Sequence, residues 1–379
     1  MADVTIVGAG PVGTLLATEL ARHDVDVRML ERRPALGDGT RAIGIHSPVL
    51  AALEPSGITD RLLADAVRVR RGEARSRGRL LGTVHFDALA ARFPFVATLP
   101  QSTTEAVLGA GAPEPLRGAH VIAVLPRAQG VVVRATHLGR IIEFESRIVV
   151  VAGGAGGRDL VYRAGRVGVR EYRDRYLMTD AATAGRSDDD VALVHLDPDG
   201  VLESFPLPGA RRRFVAWDAP GGDDAPEARS ARLRDALARR GEEAAAGAVE
   251  TATSFGVRRV VAPRLRNGRV FAIGDTAHEV SPIGGQGMNL GLLDAVTLAP
   301  LLASWMRTGA APDAGLRRWE ERRLRSARAA AAMATVNTAL GRPLPYTDVL
   351  RRTAVRAMLA GPSGRLFARA YAMDFDADA

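Results

Sequence analysis

The sequence predicts an α/β fold with a layer of parallel strands, a second sheet that is mostly antiparallel, and helices near the C-terminus. Three observations predict this class. A strand–helix–strand pattern opens the chain, short strand patterns follow one another between residues 170 and 217, and helical patterns follow residue 286. The 379 residues, 47% of them hydrophobic, are enough for one large domain or two closely packed ones.

The chain opens with a strand, a glycine turn, a helix and a second strand. These elements occupy residues 4–7, 8–13, 14–22 and 25–30. The order and length are typical of a dinucleotide-binding βαβ unit. Gly8 allows the tight turn, Gly10 lets the backbone approach a pyrophosphate, and Gly13 lets the helix pack closely on the strand. The free N–H groups at the helix N-terminus then face the phosphates.

Glu31 lies at the end of the second strand. A carboxylate at this position accepts hydrogen bonds from both hydroxyls of a ribose. An acid here also favours an unphosphorylated ribose, as in FAD or NAD. We therefore expect the turn and Glu31 to bind the adenosine end of a dinucleotide.

A second glycine turn lies far along the chain. The apolar residues 270–273 predict a buried strand that ends at Gly274 and Asp275, and the glycines of residues 284–287 precede an apolar helix. Two such turns, each following a strand, indicate one long cofactor that is held at both ends.

The intervening segments alternate between strand and helix patterns. Ser47 and Pro48 begin a helix as N-cap and first helical residue, and another helix begins after Pro100. The arginine-rich residues 61–79 favour a solvated face over a phosphate-binding surface. The remaining predicted elements are a hairpin at 131–135 and 141–144, strands at 147–152, 191–196, 201–207 and 213–217, a helix at 228–249, a segment at 257–266 that returns to the first domain, and helices at 316–332 and 348–358.

These patterns divide the chain into three parts. Residues 1–165 and 255–340 form a discontinuous nucleotide-binding domain, residues 166–254 a substrate-binding β-sheet domain, and residues 341–379 a C-terminal helical segment.

The composition excludes several classes of protein. The formal net charge is +8, and every basic residue other than histidine is an arginine. Because the arginines are interleaved with acids and no aromatic–basic platform is visible, we expect no nucleic-acid partner. The absence of cysteine excludes disulfides and thiolate metal sites, and the histidines lack metal-ligand spacing. We expect neither a signal peptide nor a membrane span, and therefore a cytoplasmic location.

Several stretches together resemble the flavoprotein aromatic hydroxylases of the para-hydroxybenzoate hydroxylase type, the group A flavin monooxygenases. The stretches are VTIVGAGPVGTLLATELARHDVDVRMLER, RAIGIHSPVLAALEPSGI, FPFVATLPQSTTE and RVFAIGDTAHEVSPIGGQGMNLGLLDA. The chain looks most similar to the polyketide hydroxylases of antibiotic pathways, without their C-terminal thioredoxin-like domain. The resemblance implies a Rossmann-like FAD-binding domain of the GR2 type beside a mostly antiparallel substrate sheet.

The resemblance also implies residue roles. Gly8, Gly10 and Gly13 cradle the FAD pyrophosphate, while Glu31 and Arg32 meet the adenosine. The rest of the implied FAD site consists of Arg41 and Gln101 at the pyrophosphate and ribityl chain, Asp275 on the ribityl chain, and the backbone of Gly287, Met288 and Asn289 at the isoalloxazine. N–H groups at a helix start stabilise negative charge on a reduced flavin. FAD is bound non-covalently, since there is no cysteinyl link.

The substrate end is less defined by the sequence. Pro282 lies at the ring face by resemblance, strand alternation points His46 to the interior, and the middle strands offer Ser204, Phe205 and Trp217. We interpret His278 as a core histidine beside Asp275, not as a catalytic group. No catalytic residue is assigned, because the reactive chemistry belongs to the cofactor.

One stretch departs from the family pattern. Where the family has Asp-Gly followed by Ala-Arg-Ser, the chain has glycines at 153, 154, 156 and 157, then Arg158. The aspartate motif is associated with FAD and NADPH binding, so nicotinamide docking is in question. A glycine-rich backbone still offers N–H groups to phosphates, and Arg158 offers charge.

The expected function is hydroxylation of an aromatic, polyketide-like small molecule, with NAD(P)H and O₂ as co-substrates, through a flavin C4a-hydroperoxide. Two alternatives stay open. One is Baeyer–Villiger oxidation or epoxidation of a similar substrate. The other is a flavin-binding partner protein that lacks a competent reduction step. The sequence does not determine the oligomeric state.

Overall fold

The computed structural model describes residues 1–35, 42–183, 185–281, 283–344 and 348–376. The strands, in chain order, are β1 (Ala2–Val7), β2 (Val27–Glu31), β3 (Gly44–Ile45), β4 (Val67–Val69), β5 (Arg71–Ser76), β6 (Arg79–His85), β7 (Val96–Thr98), β8 (Leu116–Arg117), β9 (His120–Pro126), β10 (Val131–His137), β11 (Arg140–Val151), β12 (Val169–Ala182), β13 (Val191–Asp197), β14 (Gly200–Leu207), β15 (Arg211–Asp218), β16 (Thr253–Val261), β17 (Arg266–Asn267), β18 (Val270–Ala272) and β19 (His278–Glu279). The helices are α1 (Pro11–Ala21), α2 (Ser47–Leu53), α3 (Ile58–Asp65), α4 (Gln101–Gly109), α5 (Pro226–Ala238), α6 (Glu243–Gly247), α7 (Gln286–Thr308), α8 (Asp313–Leu340), α9 (Asp348–Leu359) and α10 (Gly361–Tyr371).

The first sheet has eight strands, with the spatial order β17-β18-β11-β1-β2-β8 and the β9–β10 hairpin attached to β11. Strands β18, β11, β1, β2 and β8 run parallel. Both glycine turns therefore leave the sheet at the carboxyl ends of neighbouring parallel strands, where ligands of α/β proteins bind.

The second sheet also has eight strands, in the order β19-β16-β12-β15-β14-β13-β5-β6, and only the β13–β5 pair is parallel. It includes β5 and β6 from the first quarter of the chain. The segment expected to return to the first domain begins instead as β16 in this sheet. Strand β16 pairs with β12 and β19, so the segment joins the first sheet only at β17. A small third sheet has the order β3-β7-β4.

The two faces of the second sheet have different neighbours, because successive side chains of a strand alternate between faces. One face carries Leu202 and Phe214, which pack with Leu233 and Leu237 of α5. The other face packs towards α9 and α10. The predicted α/β class, with a parallel layer, a mostly antiparallel sheet and C-terminal helices, is confirmed.

Helix α7 forms the centre of the largest core. It packs against α1, α2 and α8, and its inward residues include Leu290, Leu293 and Leu298, all fully buried. Within the described residues it is the one helix long and apolar enough to cross a membrane, and 61% of its most apolar stretch is buried inside the protein. Its apolar character is therefore that of a core helix.

Candidate functional site

A cavity of about 780 Å³ lies between the two large sheets. It extends from the first glycine turn, past the start of α7, to the face of the second sheet that does not contact α5. Ten of the residues predicted for the site line it: Gly8, Gly10, Glu31, Arg32, His46, Gln101, Phe205, Asp275, Gly287 and Met288. Gly13, Asn289, Ser204 and Trp217 are not in its lining. Arg41 and Pro282 lie outside the described residues.

The three glycines of the first turn differ in what surrounds them. Gly8 has φ +109°, and a Cβ there would lie 2.5 Å from the carbonyl oxygen of Ala152. A Cβ at Gly13 would lie 2.1 Å from the carbonyl oxygen of Gly8. At Gly10, by contrast, nothing lies within 4 Å. Gly8 and Gly13 are therefore dictated by close backbone packing, whereas Gly10 borders open cavity.

Glu31 connects the end of β2 to this turn. Its Oε2 accepts a hydrogen bond from the N–H of Ala9 (2.7 Å), and its Oε1 accepts from the N–H and the Nε of Arg33 (2.9 and 3.0 Å). Burial alone raises the pKa of Glu31, but these hydrogen bonds outweigh it and hold the pKa below its ordinary value. Since a carboxylate has about four acceptor positions, room for one further donor remains on Oε2.

The second turn is fixed by a buried charge network. The N–H of Gly274 donates to Oδ2 of Asp294 (3.0 Å), and Nε2 of His278 lies 2.6 Å from the same oxygen. Nε of Arg323 donates to Oδ1 of Asp294 (2.8 Å). His278 is therefore a core histidine, as interpreted from the sequence, but its carboxylate partner is Asp294. Asp275 directly follows Gly274 in the chain and lines the cavity.

Two glycines and an asparagine position the start of α7. Gly284 and Gly285 have φ values of +100° and +68°. Oδ1 of Asn289 accepts from the N–H of His46 (2.8 Å), and its Nδ2 donates to the carbonyls of Gly44 and Gly285 (both 2.9 Å). The side chain of Asn289 thus joins the start of α7 to the start of α2 and does not project into the cavity.

The glycine loop at residues 153–157 packs against the second turn. Thr276 donates its hydroxyl to the carbonyl of Gly154 (2.9 Å). Arg158 donates to the carbonyl of Asp275 (2.8 Å) and forms an ion pair with Glu279 (2.7 Å). The guanidinium of Arg158 is thus engaged within the protein. A Cβ at Gly156 would lie 3.2 Å from Nη1 of Arg32.

On the second sheet, alternation decides which side chains reach the cavity. Phe205 and its second neighbour Glu203 line it. Ser204 faces the other way, and its hydroxyl accepts a hydrogen bond from Nε of Arg212 (2.7 Å). Trp217 lies on the cavity-side face but beyond the lining, where its Nε1 donates to Asp174 (3.2 Å).

Sequence reasoning did not identify two parts of the lining. One is Glu203, which an alternating reading of Val201, Glu203 and Phe205 would have placed on one face. The other is the C-terminal helices, whose Leu359 and Tyr371 close the cavity opposite the sheet. Their distant position in the chain gave no local signal of this contact.

His46 lies between the two ends of the cavity. Its ring is buried, and its centroid is 6.2 Å from that of Tyr371. Burial lowers the pKa of His46 to about 4, so the imidazole is neutral near pH 7. Within the described residues, no group of three or more His, Cys, Asp or Glu side chains is arranged to hold a metal ion.

Comparisons with known proteins agree with this geometry. The family model described as FAD binding domain matches residues 1–334. The 6-methylpretetramide 4-monooxygenase of Streptomyces rimosus is 34% identical over 319 residues, which cover 80% of this chain and 56% of that protein. The pentachlorophenol 4-monooxygenase of Sphingobium chlorophenolicum is 29% identical over 333 residues, which cover 82% of this chain and 60% of that protein.

Two solved structures share the whole fold. The p-nitrophenol 4-monooxygenase of Pseudomonas putida DLL-E4 superposes with a TM-score of 0.85 at 23% identity, covering 100% of this chain and 98% of that one. The anhydrotetracycline hydroxylase of Streptomyces rimosus gives 0.78 at 26% identity, covering 98% and 75%. The names of these relatives do not favour the two alternative functions.

The chain thus spans a little over half the length of the first of these relatives. The family match nevertheless covers most of the chain, including both glycine turns and helix α7. The resemblance noted from the sequence is confirmed at the level of the family. The chain belongs to the FAD binding domain family of flavoproteins.

Proposed function

We propose that this protein is an FAD-dependent monooxygenase that hydroxylates an aromatic small molecule, with NAD(P)H and O₂ as co-substrates. The observation that carries the proposal is the continuity of the cavity. One space joins the first glycine turn, the start of α7 and an apolar sheet face. A dinucleotide cofactor and a small apolar substrate fit end to end in such a space.

The residues at the first turn fit the adenosine diphosphate part of FAD. The open space beside Gly10 and the N-terminus of α1 suit the pyrophosphate. The acceptor position left on Glu31 suits one ribose hydroxyl, one fewer than the sequence suggested. Arg32 and Gln101 line the same stretch of cavity and are the proposed neighbours of the adenosine and the ribityl chain.

The residues at the second turn fit the flavin part. Asp275 is the proposed partner of the ribityl hydroxyls. The backbone N–H groups of Gly287 and Met288, at the first turn of α7, would lie at the pyrimidine edge, where a helix N-terminus stabilises negative charge. Asn289 would act indirectly by holding α7 in place. When bound, FAD supplies the transfer of electrons from NAD(P)H to oxygen.

The protein's own contribution is to bind the ring and exclude water. Apolar side chains from the second sheet, such as Val194, Phe205 and Val215, form one wall, and the C-terminal helices form the other. A dry pocket prevents loss of the oxidant as hydrogen peroxide. Ser204 and Trp217 carry no direct role in this proposal, since neither lines the cavity.

The test combines cofactor content, reduction and oxygen labelling. The purified protein should contain FAD that is released on denaturation. NADH or NADPH, added anaerobically with an aromatic substrate, should bleach the visible flavin band, and turnover under ¹⁸O₂ should give a product that contains one labelled oxygen. A flavin band that neither nucleotide bleaches would contradict the proposal. Conversion of a ring carbonyl of the substrate to an ester would also contradict it, because that product indicates Baeyer–Villiger oxidation.

We also propose that the protein acts in the cytoplasm. Cell fractionation tests this location, and recovery of the protein in the membrane pellet would contradict it.

A further inference from the structure

A single carboxyl group lies in the apolar part of the cavity. Glu203 occupies the middle of β14, is 4% exposed and lines the cavity. The residues directly opposite it on the neighbouring strands are Val194 and Val215, and its same-face neighbours along β14 are Val201 and Phe205. These four nearest neighbours on the sheet are all apolar.

Glu203 is not part of an ion pair. Among the described residues, no hydrogen bond or salt bridge reaches its carboxylate. The cation on the same sheet face, Arg213, lies two residues further along β15, and its guanidinium is already bound to both oxygens of Asp180 (2.6 and 2.7 Å). A diagonal pair of this kind is within reach of long side chains, and Nη1 of Arg213 is buried without a hydrogen-bond partner, but no hydrogen bond or salt bridge joins Arg213 to Glu203.

Few other titratable groups surround this carboxyl. The charge of Glu203 contributes to raising the pKa of Tyr371 on α10 and of Tyr176 on β12, although burial is the larger cause in both. The other titratable or charged residues that line the cavity on this sheet or opposite it are His46, Glu73 with its partner Arg75, Arg213, Arg258, and Glu279 with its partner Arg158. Burial raises the pKa of Glu203 itself to about 8.

An unpaired buried carboxyl needs a reason, because burying it without a partner costs free energy. A structural role would provide hydrogen-bond partners from the fold, and the described residues provide none. Because Glu203 lies at the substrate end of the cavity, a bound ligand is the group that can supply its hydrogen-bond partner. A carboxylate can accept a proton, and the hydroxyl group of an aromatic ligand can donate one.

We propose that Glu203 is a catalytic residue that removes the proton from a phenolic hydroxyl of the bound substrate. This inference rests on the proposed function and narrows its substrate class to phenols. The O–H bond of the phenol breaks, the proton forms a new O–H bond with the carboxylate of Glu203, and the electron pair stays on the phenol oxygen. The resulting phenolate is electron-rich at its ortho and para carbons, where an electrophilic oxygen attacks.

The decisive measurement follows the proton on binding and needs no turnover. The FAD-loaded protein is titrated at pH 9 with 4-nitrophenol, which is a yellow phenolate in solution at that pH. Because two anions do not coexist in one apolar pocket, we expect the bound ligand to stay yellow while the protein takes up about one proton. Calorimetry in two buffers of different ionisation enthalpy measures this uptake.

Substitutions test whether Glu203 is the residue that takes up this proton. Glu203→Gln should bind 4-nitrophenol either as the yellow phenolate without uptake or as the colourless phenol. Glu203→Asp should restore uptake with a yellow ligand. Glu143→Gln, at an exposed glutamate paired with Arg134, should behave as the wild type. A colourless ligand in the wild type, uptake with a yellow ligand in Glu203→Gln, or no binding at millimolar 4-nitrophenol would overturn the inference.

Turnover gives an independent readout. Phenol-dependent NAD(P)H oxidation by the wild type should decrease tenfold per pH unit below about pH 8, and this limb should be absent in Glu203→Gln. Preferential binding of benzylamine over phenol at pH 8 would overturn the inference, because the carboxylate would then select a cation. Proton uptake without any hydroxylated product would instead contradict the proposed function and leave the proton assignment standing.

Discussion

At the scale of single residues, Asp294 organises the second glycine turn. Its side chain is fully buried, and it receives the N–H of Gly274, Nε2 of His278 and Nε of Arg323. Burial opposes its charge, but His278 and Arg323 outweigh this and lower its pKa. Arg323 also pairs with Asp376 near the C-terminus. The carboxylate therefore connects the FAD-binding segment to the end of the chain.

We expect Asp294→Asn to destabilise the protein strongly. The substitution leaves the buried guanidinium of Arg323 with one carboxylate fewer, and breaking a buried pair in this way costs about 3–5 kcal/mol. Urea unfolding measures the change. Asp313→Asn serves as the control, because Asp313 also pairs with an arginine but is 57% exposed. Equal small losses in the two variants would contradict the importance of the network.

Glu203 should make stability depend on pH in a recognisable way. Its pKa is about 8 in the folded protein against an ordinary 4.5, so the folded state binds a proton that the unfolded state releases. Stability should therefore fall as pH rises from about 4.5 to 8, by about 1.4 kcal/mol per unit and on the order of 5 kcal/mol in all.

The measurement is the melting temperature of wild type and Glu203→Gln between pH 5 and 9. The gap between the two curves should be smallest at pH 5, widen in favour of the variant towards pH 8, and stay constant above it. A gap that does not change with pH would contradict the buried, unpaired carboxyl. The difference between the proteins isolates Glu203 from all other titrating groups.

At the scale of elements, the βαβ unit separates two uses of glycine. The helix α1 approaches β1 closely enough that a Cβ at Gly13 would collide with the carbonyl of Gly8. Gly10, at the N-cap of the same helix, meets only cavity and has φ −82°, which any residue adopts. Gly13 is thus required for the packing of α1 on β1, whereas Gly10 keeps space free at the N-terminus of α1.

The matched pair Gly10→Ala and Gly13→Ala tests this separation. Gly13→Ala should lower the melting temperature of the flavin-free protein, because α1 must move away from β1. Gly10→Ala should leave that temperature unchanged but weaken FAD binding at least tenfold, about 1.4 kcal/mol, since the methyl group occupies the proposed pyrophosphate space. Normal FAD content in Gly10→Ala would contradict that use of the cavity.

The elements also show how far sequence reasoning reaches. Both glycine turns and their strands were predictable, because strand, turn and helix are contiguous and each glycine has a local geometric cause. The face of β14 that borders the cavity was not predictable. Both faces of this strand are buried, so the pattern of apolar residues does not show which side chains point to the cavity. Ser204 and Phe205 were predicted together, although adjacent strand residues cannot share a face.

Contacts between distant segments are where local patterns carried no information. The position of β5 beside β13 and the closure of the cavity by α9 and α10 depend on tertiary packing alone. The charge network gives a further case. His278 was correctly interpreted as a core residue, but its partner Asp294 lies on the opposite side of a turn and within a helix. The nearer Asp275 was the natural choice from sequence order.

At the scale of the whole molecule, the C-terminal helices complete a cavity whose other walls come from both sheets. Gln286, the first residue of α7, attaches them: its Nε2 donates to the carbonyls of Ala370 and Tyr371 (both 3.1 Å). Gln286 is 4% exposed, so these bonds are shielded from water. The helix that would face the flavin and the helix that closes the substrate end are thus held by one side chain.

We expect Gln286→Ala to uncouple NAD(P)H oxidation from hydroxylation. Without the two hydrogen bonds, α10 is held less firmly over the pocket, and water that enters releases the oxidant as hydrogen peroxide. The product formed per NAD(P)H should fall and peroxide should rise, while FAD content stays near that of the wild type because the backbone of the α7 start is unchanged. Gln129→Ala, at an exposed turn residue, is the control. Full coupling in Gln286→Ala would mean that the C-terminal helices close the cavity by apolar packing alone.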